Sequence, residues 1–350
     1  MNKAAPDFQW DELFRSPDMY LLEFTEQQAL FIPMTRESYN RSIFTDRQRI
    51  VPARPAGRGI NLDKLLQHPD IDPVQQPLRF IFHLAHGGST LLARALDLPG
   101  RSLVIREPAP LRQLAIERLA THPMLFNQEH WMRRLRLVTG LLGRRYRESE
   151  PVLVKANVPV NFILPEVLSL HEDSCGIILY SGLKQYLAAV LKSPDHHRWV
   201  VNVIRQLASG VKQIPALSSV MVDRLSPPEA AACLWLAQMF KYVQALKLHS
   251  NLRTLVSNMF FEQPGATLQA ASDFMGLGFS ATEIRETVAG ALFTSHAKKP
   301  GMAYDNAARK SEYRCQLADN QQLISEGMGW ADDYLCQLDL PDILPCPLIA

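Results

Sequence analysis

At 350 residues, 47% hydrophobic and 21% charged, the chain has a globular rather than disordered composition and enough material for one large or two ordinary domains. A net charge of +2 supplies no global field for nucleic acid, and five scattered cysteines without a C-x-x-C pair argue against a disulfide framework or a zinc site. No window approaches the roughly 18 apolar residues of a membrane span, and residues 1–10 lack an apolar signal core, so a cytoplasmic protein with no membrane or nucleic-acid partner is expected.

Residues 1–76 read as a polar, turn-rich preface. Tyr20–Phe24 and Ala29–Met34 predict a hairpin across Thr25–Gln28, and Leu62–Gln67 a short helix. Pro52–Gly59 is rich in Pro, Gly and Arg and reads as a linker or exposed loop, as does 70–77. No chemistry is legible there; capping the core or contributing to a homodimer are the roles left to it.

From Pro77 to Gly301 strands alternate with helices, which predicts an α/β domain with a mostly parallel sheet. Strands are expected at 80–84, 102–106, 152–156, 176–180, 218–222 and 254–257. Helices are expected at 89–97, 109–121, 128–146, 160–171, 183–192 and 198–208. Basic residues between Arg133 and Arg147 read as a solvated helix face. Ser226 and Glu229 form a capping box with prolines at 227 and 228, and Ser280 with Glu283 forms a second. Residues 302–350 read as a helical tail, with a helix at 318–338 and a proline-rich end.

The most informative stretch is Phe80 to Leu96. A short apolar strand breaks at Gly87-Gly88 and resumes as a helix with Leu91, Leu92, Ala95 and Leu96 on one face. A strand running through a glycine turn into a helix start can bind an anion, because first-turn N–H groups lack intrahelical partners and the dipole end is positive. Ser89 and Thr90 are placed to reach phosphate oxygens. The Walker A pattern fails, since His83 stands at its first glycine and Ser89 at its lysine. A ligand-free strand–turn–helix is the plain alternative.

Pro108 removes a donor and biases Glu107 toward extended backbone, so the second strand ends at the carboxyl edge where open α/β sheets bind ligands. An ordinary surface carboxylate is the other reading. Lys155 closes an almost wholly apolar strand; burying its charge unpaired is costly, so it is expected to emerge into the same cleft. His83 reads as a satisfied core residue, and His196-His197 has no metal-ligand partner at helical spacing.

Ala85-His86-Gly87-Gly88-Ser89-Thr90-Leu91-Leu92 resembles the 5′-phosphosulfate loop of the P-loop sulfotransferases, with His86 where that family usually has Lys or Arg. The resemblance implies a P-loop NTPase-like three-layer α/β/α fold. It also implies sulfuryl transfer from 3′-phosphoadenosine 5′-phosphosulfate (PAPS) to a hydroxyl or amine of an unidentified small-molecule or peptide acceptor, without a metal. Implied donor-binding residues are His86, Gly87, Gly88, Ser89, Thr90 and Leu91. Glu107 is the implied general base, and Lys155, assisted by His86, neutralises developing charge.

At the fourth strand the chain departs from the family, with Ser181 at the family's arginine and Ala189 at its serine. Lys184, or Lys298 or Lys299 in a basic loop resembling the family's C-terminal loop, would replace the missing charge, and Ser181 or Tyr180 would supply a hydrogen bond to the donor. Leu252 to Gly276 resembles the family's C-terminal strand, acidic loop and helix end. If His86 acts as imidazolium, activity should fall as pH rises through about 7. An atypical nucleotide-dependent kinase and a non-catalytic relative are the alternatives.

Overall fold

In the computed structural model the described residues are 10–54, 56–68, 76–120 and 124–349. The expectations for residues 1–9 and for 70–75 lie outside them. The preface hairpin forms as expected, β1 (Met19–Phe24) against β2 (Gln28–Pro33), antiparallel. The supposed linker contributes a strand instead: β3 (Arg58–Asn61) pairs antiparallel with β2, so Gly59 belongs to a sheet edge.

The main sheet holds β4 (Leu78–His83), β5 (Leu103–Arg106), β6 (Val152–Lys155), β7 (Cys175–Tyr180) and β8 (Leu252–Val256). Its order is β5-β6-β4-β7-β8, and every pair is parallel. Strands buried on both faces need apolar residues at every position, and the two-residue period divides them between two cores. Phe80, Phe82, Ile105, Val154 and Ile178 join one cluster, while Ile81, Val104, Leu153, Ile177 and Leu179 join the other. Helices cover both faces, giving three layers, α/β/α.

The winding reverses at β4. After β4 the chain moves out to β5 and back to β6, then crosses to β7 and β8 on the opposite side. That switch leaves a crevice beyond the carboxyl end of β4.

The first apolar cluster also contains Tyr20 and Phe31 of the preface and Ile324, Ala331 and Leu344 of the tail. One buried side chain ties the preface to the sheet. Arg106 donates to Asp97 Oδ2 at 2.9 Å and to the Ser42 carbonyl at 3.0 Å, and Asp97 also accepts from Arg36 at 2.6 Å. The tail covers the β8 edge: Thr254 N–H donates to Cys346 O (2.8 Å) and Leu348 N–H to Thr254 O (2.7 Å). An exposed edge would otherwise present unpaired backbone groups.

Three expected elements differ. Residues 218–222 form no strand; 3₁₀ turns at Pro215–Leu217 and Val222–Arg224 flank buried Val220, and so short an apolar run cannot separate the two outcomes by period. The single helix expected at 160–171 is a 3₁₀ turn, Val158–Ile163, followed by a short helix, Leu164–Leu168, with Pro165 at the junction removing a helical donor. The tail forms two helices, Asn306–Asp319 and Gln321–Leu338. Arg144, assigned to a solvated face, is buried against the carbonyls of Leu13, Met19 and Leu141, and burial pushes its guanidinium down to about 10. Among the described residues no helix is long and apolar enough to cross a membrane.

Candidate active site

Beyond β4 the backbone takes an unusual path. Ala85 (φ 77°) and His86 (φ 54°) are left-handed without being glycine, and Gly88 (φ 93°) follows. Each such non-glycine residue costs about 1–3 kcal/mol and persists only where its surroundings fix it. The fixing contacts are visible. Ala85 N–H donates to His83 Nδ1 at 2.9 Å, Ser257 Oγ donates to Gly87 O at 2.6 Å, and a Cβ at Gly88 would lie 2.7 Å from Phe261. Ser89 and Thr90, opening the Ser89–Ala95 helix, are each 4% exposed.

Glu107 also sits at positive φ, 58°, rather than in the extended backbone expected before Pro108. Its N–H donates to Lys155 O at 2.7 Å, an extra rung beyond the β5–β6 ladder that turns the side chain over the sheet edge. There the carboxylate accepts from Lys155 Nζ, with Arg49 Nη2 at 4.0 Å. Lys155 does not emerge into open solvent. Its side chain is 1% exposed, and pairing with Glu107 replaces the solvation the sequence argument required. Burial lowers its ammonium from the usual lysine value, and the Glu107 charge opposes that shift.

The preface, silent in sequence, supplies part of this site. The Phe44 ring has Arg49 Cζ at 3.9 Å, Lys155 Nζ at 5.1 Å and Lys298 Nζ at 5.8 Å from its centre. Lys298 lies between two short antiparallel strands, β9 (Ser295–His296) and β10 (Lys299–Ala303). Desolvation and the neighbouring Lys155 push its ammonium down to about 8.

His86 packs 4.9 Å from His196 and edge-on 5.2 Å from Trp199. Desolvation first, then Lys298 and His196, drive its pKa well below the usual histidine value. These surroundings disfavour the imidazolium on which an activity loss near pH 7 through His86 would depend. The site's positive charge is carried by lysine and arginine.

A cavity of about 490 Å³ opens over the loop. Its walls include residues 85–91, Ser181, Ala189, Lys192, Lys298, Lys299, Phe261 and Arg309. Ser181 is thus brought to the cavity, whereas Lys184 is exposed on its helix and does not line it. Lys192 enters instead, 3.2 Å from Glu312. Arg309 lies 4.1 Å above the Phe261 ring and donates to Asn306 Oδ1 at 2.9 Å. Phe44, Arg49, Lys192 and Arg309 were missed because no local spacing links them to the loop; chain reversal alone assembles them. Among the described residues no cluster of three His, Cys, Asp or Glu could hold a metal ion.

No family model and no curated protein matches this chain. Among solved structures it is similar to the sulfotransferase domain from the curacin biosynthetic pathway, at 14% identity over 76% of this chain and 99% of that one, TM-score 0.38. It is similar to retinol dehydratase in complex with retinol and PAP, at 14% identity over 82% and 90%, TM-score 0.40. A sulfotransferase from Alicyclobacillus acidocaldarius aligns at 14% identity over 72% and 97%, TM-score 0.34.

Proposed function

We propose that this protein transfers a sulfuryl group from PAPS to an acceptor hydroxyl or amine. The observation that carries the reading is the junction of two features at one sheet edge. One is a cavity walled by the 85–91 loop and by Lys192, Lys298, Lys299 and Arg309; the other is the Glu107–Lys155 pair, which does not line that cavity. Lys298 links the two, lining the cavity and sharing the Phe44 ring with Lys155, which pairs with Glu107. The volume lies within the roughly 300–1,000 Å³ of small-molecule clefts, and four cations against Asp305 and Glu312 suit a polyanionic nucleotide.

The loop amides, Ser89 and Thr90 would hold the 5′-phosphosulfate. Lys192, Lys298, Lys299 and Arg309 would offset the charge lost with the family's arginine at Ser181. The donor supplies a sulfur whose bond to the bridging phosphate oxygen is broken as the acceptor oxygen bonds to it. Glu107 takes the acceptor's proton, while Lys155 stabilises the electron pair left on the phosphate oxygen. The ion pair with Lys155 fixes where the Glu107 carboxylate points. Positioning and fixed charge supply most of the rate in such transfers.

The test is release of adenosine 3′,5′-bisphosphate (PAP) from PAPS in the presence of a panel of phenols, alcohols and amines. Acceptor-dependent release lost in Glu107→Gln is expected. No release with any acceptor, or equal release by Glu107→Gln, would count against the assignment.

A further inference from the structure

His83 is a buried titratable group at this edge with no part in the chemistry above. It is 4% exposed and closes β4. Nδ1 accepts the Ala85 N–H at 2.9 Å, while Nε2 lies 2.9 Å from Ala156 O and 3.0 Å from Lys155 Nζ. An acceptor at Nδ1 requires the ring hydrogen on Nε2, where it is donated to Ala156 O. Protonating Nδ1 would set two N–H groups against each other. The groups facing the ring are Lys155 from β6, Lys298 from the β9–β10 turn and His86 from the loop, and all of these disfavour a second proton.

We propose that His83 is a positioning residue of the donor site: one ring nitrogen holds the left-handed Ala85-His86 turn, and the other edge sets Lys155 against Glu107. The inference rests on the donor reading only for its ligand. The loop enters its strained path at the residue whose N–H the imidazole receives, and Asn161 Nδ2 secures the same point by donating to His83 O at 3.0 Å. Lys155 cannot donate to a nitrogen that already carries hydrogen, so the imidazole confines its ammonium and directs it to Glu107.

Two amide substitutions separate the contacts. In His83→Asn the side-chain oxygen overlays Nδ1 and keeps the acceptor for Ala85, whereas in His83→Gln the amide nitrogen overlays Nε2 and keeps only the donor to Ala156. Hydrogen exchange of the unliganded 84–90 segment should match wild type in His83→Asn and accelerate in His83→Gln. PAP affinity should stay within about threefold for His83→Asn and weaken about tenfold or more for His83→Gln, the cost of an orphaned buried N–H. Adding Ala85→Gly, which adopts positive φ unaided, should recover part of the His83→Gln loss and keeps the comparison open if that variant folds poorly. Equal exchange and affinity in all variants, or equal losses in both amides, would overturn the proposal. Failure of wild type to bind PAP would sink the donor reading while the exchange comparison still decided the role of His83.

Discussion

Lys155 and Glu107 leave the neighbouring strands β6 and β5 and meet as an ion pair, with 1% of the lysine side chain and 18% of the glutamate exposed. The asymmetry of burial makes their removal unequal. Glu107→Gln strands a buried ammonium and should cost about 1–3 kcal/mol, part of the charge being relieved by deprotonation. Lys155→Met leaves a partly open carboxylate beside Arg49 and should cost less than about 1 kcal/mol. Both should abolish turnover. Denaturant unfolding beside an activity assay separates the two effects, and the reverse order of stabilities would contradict the pair's geometry.

Gly88 combines positive φ with a side-chain position that Phe261 already occupies at 2.7 Å. Gly88→Ala should therefore destabilise by about 1–3 kcal/mol and weaken nucleotide binding, whereas Gly87→Ala, at ordinary contact distance from Ser257, should do less. Adding Phe261→Leu should return only the steric part. Calorimetric binding of PAP to the four proteins checks the order.

Much of the scaffold was legible because its signals are local. The β4–loop–helix unit follows from an apolar run, two glycines and a periodic helix, and the Ser226 and Ser280 capping boxes form as expected. What escaped were contacts whose cause is long-range. Lys155 was expected in the cleft because its counter-charge, 48 residues away, could not be assigned as a partner from spacing. The preface looked inert because nothing in Phe44 or Arg49 reveals that Arg106 pulls their segment onto the end of β5. The charge state of His86 stayed conditional because sequence does not show His196, Trp199 and Lys298 closing around it.

The pH dependence of binding should report Lys298. Its value falls from near 10.5 to about 8, so this site's contribution to stability is full above the ordinary lysine range and is lost as pH falls through about 8. A bound anion favours the ammonium and opposes that loss. PAP affinity should hold below about 8, decline as pH rises through it, and be accompanied by proton uptake above it. Lys298→Arg, which stays charged, should flatten the decline. A step near pH 6.5 lost in His86→Lys would instead assign the charge to His86.

Phe44 contributes a ring face to three cations without an ion pair of its own. Phe44→Leu keeps an apolar side chain but removes the quadrupole, worth about 0.5–2 kcal/mol per desolvated cation. A fall in kcat beyond the change in PAP affinity is expected, because Lys155 and Arg49 flank Glu107. Kinetics indistinguishable from wild type would mean that the preface serves only as cover.

The most direct test is thermal unfolding with PAP, run beside Mg²⁺-ATP. At about 100 times Kd, a ligand adds roughly 2.7 kcal/mol, a rise of about 3–4 °C for a chain of 350 residues. Stabilisation by PAP, absent in Gly88→Val and retained in Glu107→Gln, is the expected result. Stabilisation by Mg²⁺-ATP alone would point to phosphoryl transfer, and indifference to both would contradict a nucleotide site at this edge.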